Sequence, residues 1–239
     1  MSSLKKNIGL QMSYRMLTII TPLITSPIIS RALGADKIGI YSATQAFANY
    51  FMLFAMLGVE YYGQRSIANS HTRTERSELF WEVYTVQFGA SLISVTIYYL
   101  SACFWQSSRI MVMMIQGLWV VSCLFDVNWL YFGVEDFKIT VTRNFIVKII
   151  TVVCIVVFIR NPSDLCLYAV IMAGSTAISQ LILWKKVKKY VDFKRVSLTQ
   201  CKKHLWPIIG LFIPMIALSI YHFMDKSMLD LLSTESEVG

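Results

Sequence analysis

Three ionisable side chains lie inside long apolar segments, where a charge is costly. Arg15, Asp126 and Lys148 each fall within a stretch whose hydropathy predicts a membrane span. By helix rise, Arg15 is roughly 10 Å from one end of its segment, and the other two residues lie at a similar depth. An ionisable group at such a depth usually faces a cavity, a partner or the nearest headgroups. The three residues therefore predict a polar cluster in one half of the bilayer.

The chemistry that this cluster offers is electrostatic binding of an anion. Asp126 offsets one cation, and the excess positive charge of Arg15 and Lys148 is left for an anionic headgroup such as a phosphate. The alternative is that both cations extend to the membrane surface, which Lys148 does easily and Arg15 with some stretch. A short carboxylate cannot reach so far. Asn128, two residues after Asp126, points to another face and is expected to cap or bridge helices.

A fourth ionisable residue, Asp225, follows the last apolar segment. Together with Lys226 it is expected to emerge at the membrane interface, where a surface ion pair contributes little free energy. A proton-coupling role for Asp225 is the alternative interpretation.

Composition narrows the class of protein. Of the 239 residues, 56% are apolar and 15% are charged, whereas about a quarter of the residues in a soluble domain are charged. Disorder is excluded, and a soluble enzyme is disfavoured. The five cysteines stand singly and the three histidines are far apart, so neither a disulfide scaffold nor a metal site is expected, and no cofactor is implied. The net charge of +8 alternates with long uncharged runs, unlike a nucleic-acid-binding face.

Long uncharged runs determine the fold class. Stretches of 22, 26, 20 and 21 residues without Asp, Glu, Lys or Arg occupy residues 38–59, 83–108, 165–184 and 204–224. About 20 helical residues cross a hydrocarbon core roughly 30 Å thick. We predict an all-α polytopic membrane protein, because lipid cannot satisfy an open backbone. Seven spans are expected, at residues 8–30, 39–62, 80–102, 110–132, 144–160, 164–184 and 205–225.

Lysine and arginine are divided unevenly between the two sides of these spans. With the N-terminus in the cytoplasm, 15 of the 22 cations, Arg143 among them, fall in cytoplasmic loops and four outside. The positive-inside rule favours this orientation. Eight cations lie between Lys185 and Lys203, where Asp192 is the single acid. This stretch is either a topology anchor that joins two halves of a protein or a surface that holds anionic headgroups.

Two parts of the sequence carry recognisable motifs. Residues 27–41 and 58–68 read PIISRALGADKIGIY and GVEYYGQRSIA, and residues 126–137 read DVNWLYFGVEDF. These stretches resemble the polysaccharide-biosynthesis flippase family, the Wzx-type O-antigen or repeat-unit transporters of the multidrug/oligosaccharidyl-lipid/polysaccharide exporter group. Weaker echoes occur at residues 213–217, 225–229 and 237–239. The motif residues singled out by this match are Arg31, Gly34, Gly39, Asn128, Trp129, Gly133 and Glu135.

Most of these motif residues are expected to shape loops rather than touch a substrate. Gly34 and Gly39 allow a tight turn between the first two spans, with Asp36 available as a helix cap. Gly133 is expected to end the fourth span.

The resemblance also implies an organisation in two lobes. Family members are similar to one another over 12 to 14 helices, whereas this chain ends just after the seventh predicted span. We therefore expect a six-helix N-terminal lobe at residues 1–184, a basic cytoplasmic linker at 185–204, and the first helix and following loop of a second lobe at 205–239, from a truncated or split gene. Residues 232–239 resemble residues 33–39, as an internal repeat would.

The function implied by the resemblance is movement of an oligosaccharide repeat unit, carried on polyprenyl pyrophosphate, across a bacterial plasma membrane during O-antigen or capsule synthesis. Arg15 and Lys148 would attract the pyrophosphate, and Asp126 would hold the cations. The implied partners are the lipid-linked oligosaccharide, the bilayer, and a second transmembrane half or polysaccharide assembly proteins, but no nucleic acid. One alternative is a drug or cation antiporter of the same group. Another is a membrane-embedded polymerase or acyltransferase, which would need a large outer loop or an intramembrane His/Asp constellation.

Overall fold

The fold is given by a computed structural model that describes the backbone of residues 2–104 and 107–232. Side chains are described at positions 9, 12, 16–104, 109–216 and 219. The side chains of Arg15 and Asp225, and the predicted repeat and motif echo at residues 233–239, therefore lie outside the described part of the chain.

All regular elements within the described backbone are helical, as predicted. Nine α-helices follow one another there, with 3₁₀ turns at Cys123–Phe125 and Pro162–Asp164. The α-helices are α1 (Ser2–Leu33), α2 (Ala35–Met56), α3 (Val59–Ala68), α4 (Arg73–Ala102), α5 (Ser107–Ser122), α6 (Asn128–Gly133), α7 (Phe137–Phe158), α8 (Leu165–Val187) and α9 (Leu198–Leu232).

Four of the described helical segments are long and apolar enough to cross a membrane: residues 16–33, 73–102, 137–158 and 162–187. A shorter apolar helix covers residues 109–125. Exposed apolar side chains line the outer face of α7, including Ile146, Ile150, Val153 and Val157. Such a face is stable against lipid and costly in water. The chain is thus an all-α, multi-pass membrane protein.

Small residues let the central helices approach one another closely. α5 packs against α2, α4 and α8, while α1 lies against α7 and α9 lies against α2 and α4. The buried face of α2 includes Ala43, Ala46 and Ala48, and α8 presents Ala169 and Ala173. In membranes, where lipid tails are as apolar as leucine, such close backbone contact is a main source of helix association.

Two predicted spans are interrupted rather than continuous. The segment at 39–62 ends as α2 at Met56 and restarts as α3 at Val59, with Leu57 and Gly58 both in left-handed conformations. The segment at 110–132 is broken between α5 and α6, where the 3₁₀ turn and Asp126 intervene. The prediction of unbroken helices was wrong at these two places, because hydropathy reports the apolar run and not the backbone conformation within it.

The start predicted for the fifth span, at residue 144, was also wrong. α7 begins at Phe137, so Arg143 lies in the helix and not in a loop. By helix rise Lys148 lies roughly 16 Å from the start of α7, near its middle. Lys148 is therefore further from the start of its helix than a span that begins at residue 144 predicts.

Glycine roles in the motifs are partly as predicted. Gly34 alone joins α1 to α2, with φ of 78°, so the tight turn is confirmed. Gly39 lies inside α2 and Asp36 does not cap it, since Gly34 occupies the N-cap position. Gly133 ends α6, as expected, but Glu135 takes the left-handed conformation that follows, with φ of 57°.

The basic segment after α8 is tied to α4. Arg73 donates two hydrogen bonds to the Asp192 carboxylate, at 2.8 and 2.7 Å, and Trp81 Nε1 donates to the Asp192 carbonyl at 2.9 Å. The Arg73 guanidinium holds the pKa of the Asp192 carboxyl below its ordinary value. A lowered carboxyl pKa means that this tether is present at neutral pH and is lost as the pH falls through the lowered value.

Close packing of α3 on α6 gives a test of the fold. An added Cβ at Gly63 would lie 2.5 Å from Trp129 Cε3, and Trp129 is 0% exposed. We predict that Gly63→Ala destabilises the protein by about 1–3 kcal/mol, because the ring has no room to move. The measurement is thermal unfolding of the purified protein in detergent.

Gly89→Ala is the matched control, because a Cβ at Gly89 in α4 meets nothing within 4 Å. Alanine there gains up to about 1 kcal/mol of helix propensity. Equal melting temperatures for the two alanine variants would contradict the packing described.

Candidate functional site

The break between α5 and α6 interrupts the α-helical hydrogen bonding of the backbone carbonyls there, although the carbonyl of residue 123 still accepts from the Asp126 N–H at 3.4 Å. Side chains of neighbouring helices satisfy four consecutive carbonyls. Gln87 Nε2 donates to the carbonyls of residues 123 and 126, at 2.8 Å each. The Tyr84 hydroxyl donates to the carbonyl of residue 124 at 3.0 Å, and Trp184 Nε1 donates to that of residue 125 at 2.9 Å. Non-helical backbone is tolerated within a membrane only where it is buried in protein or lines a water-filled cavity, and here neighbouring side chains satisfy it.

Trp129, a motif residue, helps to hold this break. Its Nε1 donates to Gln87 Oε1 at 2.9 Å, so the Gln87 amide uses both of its polar ends. Trp129 is fully buried, and its ring stacks on Phe80 with centroids 5.3 Å apart. Its role is structural, as expected for most of the motif residues.

The break turns Asp126 and Asn128 toward α8. Asp126 Oδ1 accepts hydrogen bonds from the backbone N and the Nδ2 of Asn128, at 2.8 and 2.9 Å. Its Oδ2 accepts from Gln180 Nε2 at 2.8 Å. Asn128 Nδ2 also donates to Gln180 Oε1 at 3.1 Å. Asn128 therefore bridges helices, as predicted, but on the same side as Asp126.

Arg143 of α7 is the cation that meets this cluster. Its guanidinium donates to Asn128 Oδ1 and to the Ser179 carbonyl at 3.0 Å each, and to Gln180 Oε1 at 3.4 Å. It also donates to the neighbouring Asn144 side chain. Arg143 is 8% exposed, and its charge interacts with that of Asp126. Its assignment to a cytoplasmic loop was wrong because α7 begins at Phe137 and not at residue 144.

A cavity of about 620 Å³ opens beside this cluster. Its walls come from α1, α2, α7 and α8, with two residues of α6 and single residues of α3 and α5. Asn128, Arg143 and Gln180 line one part of it. Its other polar lining residues include Thr21, Thr25, Ser26, Gln45, Asn144, Thr151, Ser175 and Thr176. Threonine and serine on the transmembrane helices, together with amides, make the surface suitable for a hydroxyl-rich ligand.

Besides Arg143, Lys148 and Glu60 are the basic and acidic residues of the described cavity wall. Lys148 lies on α7 about 8 Å beyond Arg143 along the helix axis. No hydrogen-bond or ion-pair partner for its ammonium is found among the described side chains. Glu60 enters the wall from α3. Lys148 therefore presents a half-buried cation to the cavity, while the Arg143 guanidinium is held by neutral oxygen acceptors.

An aromatic wall lies toward the α1–α2 turn. Tyr41 and Tyr168 face each other there with ring centroids 4.7 Å apart, and Trp119 lines the cavity nearby. Among the described residues, the Tyr41 hydroxyl and Trp119 Nε1 are buried donors without a hydrogen-bond partner. An unpaired buried polar group costs about 1–3 kcal/mol.

The other predicted site residues are divided between the cluster, the cavity wall and the surface. Of the three predicted cluster residues, Asp126 belongs to the hydrogen-bonded cluster and Lys148 to the cavity wall. Arg31 is exposed at the end of α1, and Glu135 is exposed after α6. Within the described residues, no group of His, Cys, Asp and Glu is arranged to hold a metal ion.

Sequence reasoning missed Arg143, Gln180 and Gln87. Gln87 and Gln180 both lie inside predicted spans, but an uncharged amide does not mark a position in an apolar segment as a charge does. The signal for Arg143 was the apolar pattern of residues 137–142, which carries the helix back beyond residue 144.

Known proteins resemble this chain over nearly all of its length. The family described as "Polysaccharide biosynthesis protein" matches residues 4–239. An Escherichia coli (strain K12) protein named "Putative O-antigen transporter" is 21% identical over 245 residues, which cover 99% of this chain and 58% of that protein. The chain thus spans less than two thirds of the length of this relative. No solved structure matches this chain.

The Asp126–Arg143 cluster predicts a strong coupling between two substitutions. Arg143→Met should destabilise the protein by about 3–5 kcal/mol, because the buried carboxylate loses its compensating charge. Adding Asp126→Asn should recover part of that loss, so the double variant is more stable than the sum of the single effects by at least about 1 kcal/mol. Denaturant unfolding of the four proteins in detergent measures this coupling.

Lys194 and Glu78 give a control pair, because they form an exposed ion pair at 3.5 Å. The same cycle there should yield less than about 1 kcal/mol. Strictly additive losses at Arg143 and Asp126 would show that the two charges do not depend on each other.

Proposed function

The chain belongs to the polysaccharide biosynthesis protein family, and from this premise we propose that it moves a lipid-linked oligosaccharide across a bacterial plasma membrane. The carrier is a polyprenyl pyrophosphate, and no covalent bond changes during the step. The curated relative is named for O-antigen transport, which supports this class of substrate at the level of the family.

The observation that carries the proposal is the half-buried Lys148 in a large polar cavity. A pyrophosphate gains strongly from a cation that no protein group already neutralises, since a charge-assisted hydrogen bond is about twice as strong as a neutral one. Lys148 supplies this cation, and the Arg143 cluster adds positive potential to the same cavity. Asp126 does not contact the substrate in this proposal; it orients Asn128 and Gln180, which in turn bind Arg143.

The sugar part of the substrate would occupy the rest of the cavity. The hydroxyl and amide side chains of its walls match the many hydroxyl groups of an oligosaccharide. The unpaired Tyr41 and Trp119 donors would gain by pairing with sugar oxygens after small rotations. Aromatic rings also pack favourably on the apolar faces of sugars.

Orientation and cycle are part of the same proposal. We place the N-terminus and the basic segment at residues 185–203 in the cytoplasm, following the positive-inside rule. The six helical spans before this segment form one lobe, and α9 begins a second. Alternating access between lobes would then carry the headgroup to the outer leaflet. Arg15, on α1, remains a proposed second ligand for the pyrophosphate.

A drug or cation antiporter is the rival within transport. A cationic drug would be attracted by Glu60 and repelled by Lys148, so the two ligand classes respond oppositely to loss of the Lys148 charge. A polymerase or acyltransferase would need an acid–base constellation in the cavity, and its described walls contain no histidine.

The test uses the purified chain in lipid nanodiscs. Lys148→Met should weaken binding of a polyprenyl-pyrophosphate-linked oligosaccharide by about tenfold or more, because it removes a charge-assisted contact of roughly 1.5–3 kcal/mol. Lys148→Arg should retain most of the affinity. Native mass spectrometry across a concentration series gives the dissociation constants.

Lys138→Met is the control, since Lys138 is exposed on the same helix and does not line the cavity. Unchanged affinity in Lys148→Met would contradict the proposal. Tighter binding of a cationic dye to that variant, with no loss of the pyrophosphate lipid, would favour the antiporter instead.

A further inference from the structure

A second polar cluster lies where α9 meets α3 and α4, separate from the cavity. Nε2 of His204 on α9 lies 2.7 Å from Oε2 of Glu82 on α4, and Nδ1 lies 2.6 Å from the Tyr62 hydroxyl on α3. Lys203 Nζ lies 2.9 Å from the same carboxylate oxygen. We call these four residues the α9 contact site. None of them lines the cavity.

The charges of this site are buried, so a change in any one of them alters the stability of the contact. Glu82 and His204 are each 3% exposed, and they adjoin the fully buried Val83 and Ile208. A buried carboxylate needs a compensating charge and complete hydrogen bonding. The Lys203 side chain is 57% exposed, so solvent screens much of its contribution. His204 is the buried partner, and histidine is the side chain type whose charge ordinarily changes near neutral pH.

We propose that the α9 contact site binds a proton and that the bound proton holds α9 against α3 and α4. With His204 neutral, Nε2–H donates to Glu82 and Nδ1 accepts from the Tyr62 hydroxyl. Proton uptake occurs at Nδ1, which then donates to the Tyr62 oxygen, while the hydroxyl hydrogen of half-buried Tyr62 turns toward solvent. The bond to Glu82 becomes charge-assisted and therefore stronger.

The position of α9 gives this proton a mechanical consequence. α9 passes the α2–α3 break closely, since a Cβ at Gly58 would lie 3.1 Å from the Phe212 backbone N and 3.3 Å from the Ile208 carbonyl. Phe54 of α2 also packs edge-on against Phe212, with centroids 5.6 Å apart. A looser contact site would release α9 from the break.

Other ionisable groups near the site are few. α2 has no Asp, Glu, Lys, Arg or His between residue 38 and its end at Met56. On α4, Glu78 pairs with Lys194 at 3.5 Å. The other ionisable side chains on this part of α3 and α9 are Glu60, Tyr61, Arg65, Cys201 and Lys202. Glu82 is therefore the acid in hydrogen-bond contact with His204, and its carboxylate is the negative charge that stabilises the protonated imidazole.

The proposal does not rest on the proposed function. The proton site itself is tested without any oligosaccharide, so a negative result leaves the proposed function standing. The probe is backbone hydrogen–deuterium exchange of residues 198–212 in the full chain, at pH 6 and pH 8, after correction for the intrinsic exchange rate.

The corrected exchange of α9 should be slower at pH 6 than at pH 8 by about fivefold, as expected when a neutral hydrogen bond becomes charge-assisted. His204→Gln should remove this pH dependence. Glu82→Gln should remove it as well, while keeping a hydrogen-bond acceptor for Nε2–H. Exposed His71→Gln is the control and should behave like the native chain.

Equal corrected exchange at both pH values in the native chain would overturn the proposal. Retention of the pH effect in both His204→Gln and Glu82→Gln would do so too. If gel filtration shows that one of these variants does not fold, the pH dependence of the other variant decides between the two outcomes.

Discussion

Backbone carbonyls cannot be left unpaired in an apolar medium, and the architecture of this chain follows from how it meets that demand. α5 and α6 are not joined by continuous helix, so the carbonyls between them require partners from elsewhere. Gln87, Tyr84 and Trp184 supply those partners from α4 and α8. Without them the break would cost several kcal/mol per carbonyl. With them, it gives Asp126 and Asn128 a fixed direction.

The fixed break sets the electrostatics of the cavity. Asp126 and Asn128 orient Gln180, and the three residues together hold Arg143 on the adjacent helix. Arg143 is thus kept in place by neutral oxygen acceptors on several helices. Lys148, further along α7, is the cation that the described side chains leave without a partner. Under the proposed function, the surface that binds the anion and the buried cluster that stabilises the interior are built from different residues of α7.

The sequence predicted the fold class and the multi-pass character, because an apolar run long enough to span lipid has few alternatives. It also singled out Asp126 as a polar group inside a span, but it expected Asn128 to point to another face, whereas the two side chains are hydrogen-bonded to each other. It did not predict Arg143, because the fifth span was expected to begin at residue 144, whereas α7 begins at Phe137. Nor did it identify Gln87 and Gln180, because a neutral amide within an apolar span is not unusual in the way that a charge is. The pairing of Glu82 with His204 joins residues 122 positions apart, and only tertiary structure brings them together.

The central claim is that the lipid-linked oligosaccharide enters the cavity beside α7 instead of binding to the lipid-facing surface. Photo-crosslinking tests it directly, with a benzophenone amino acid placed at Thr151, which lines the cavity, or at Val153, which is 53% exposed on the outer face. In cells that make the sugar-bearing lipid, the account predicts an oligosaccharide adduct at residue 151 and none at residue 153. Adducts of equal yield at the two positions, or an adduct at residue 153 alone, would contradict it.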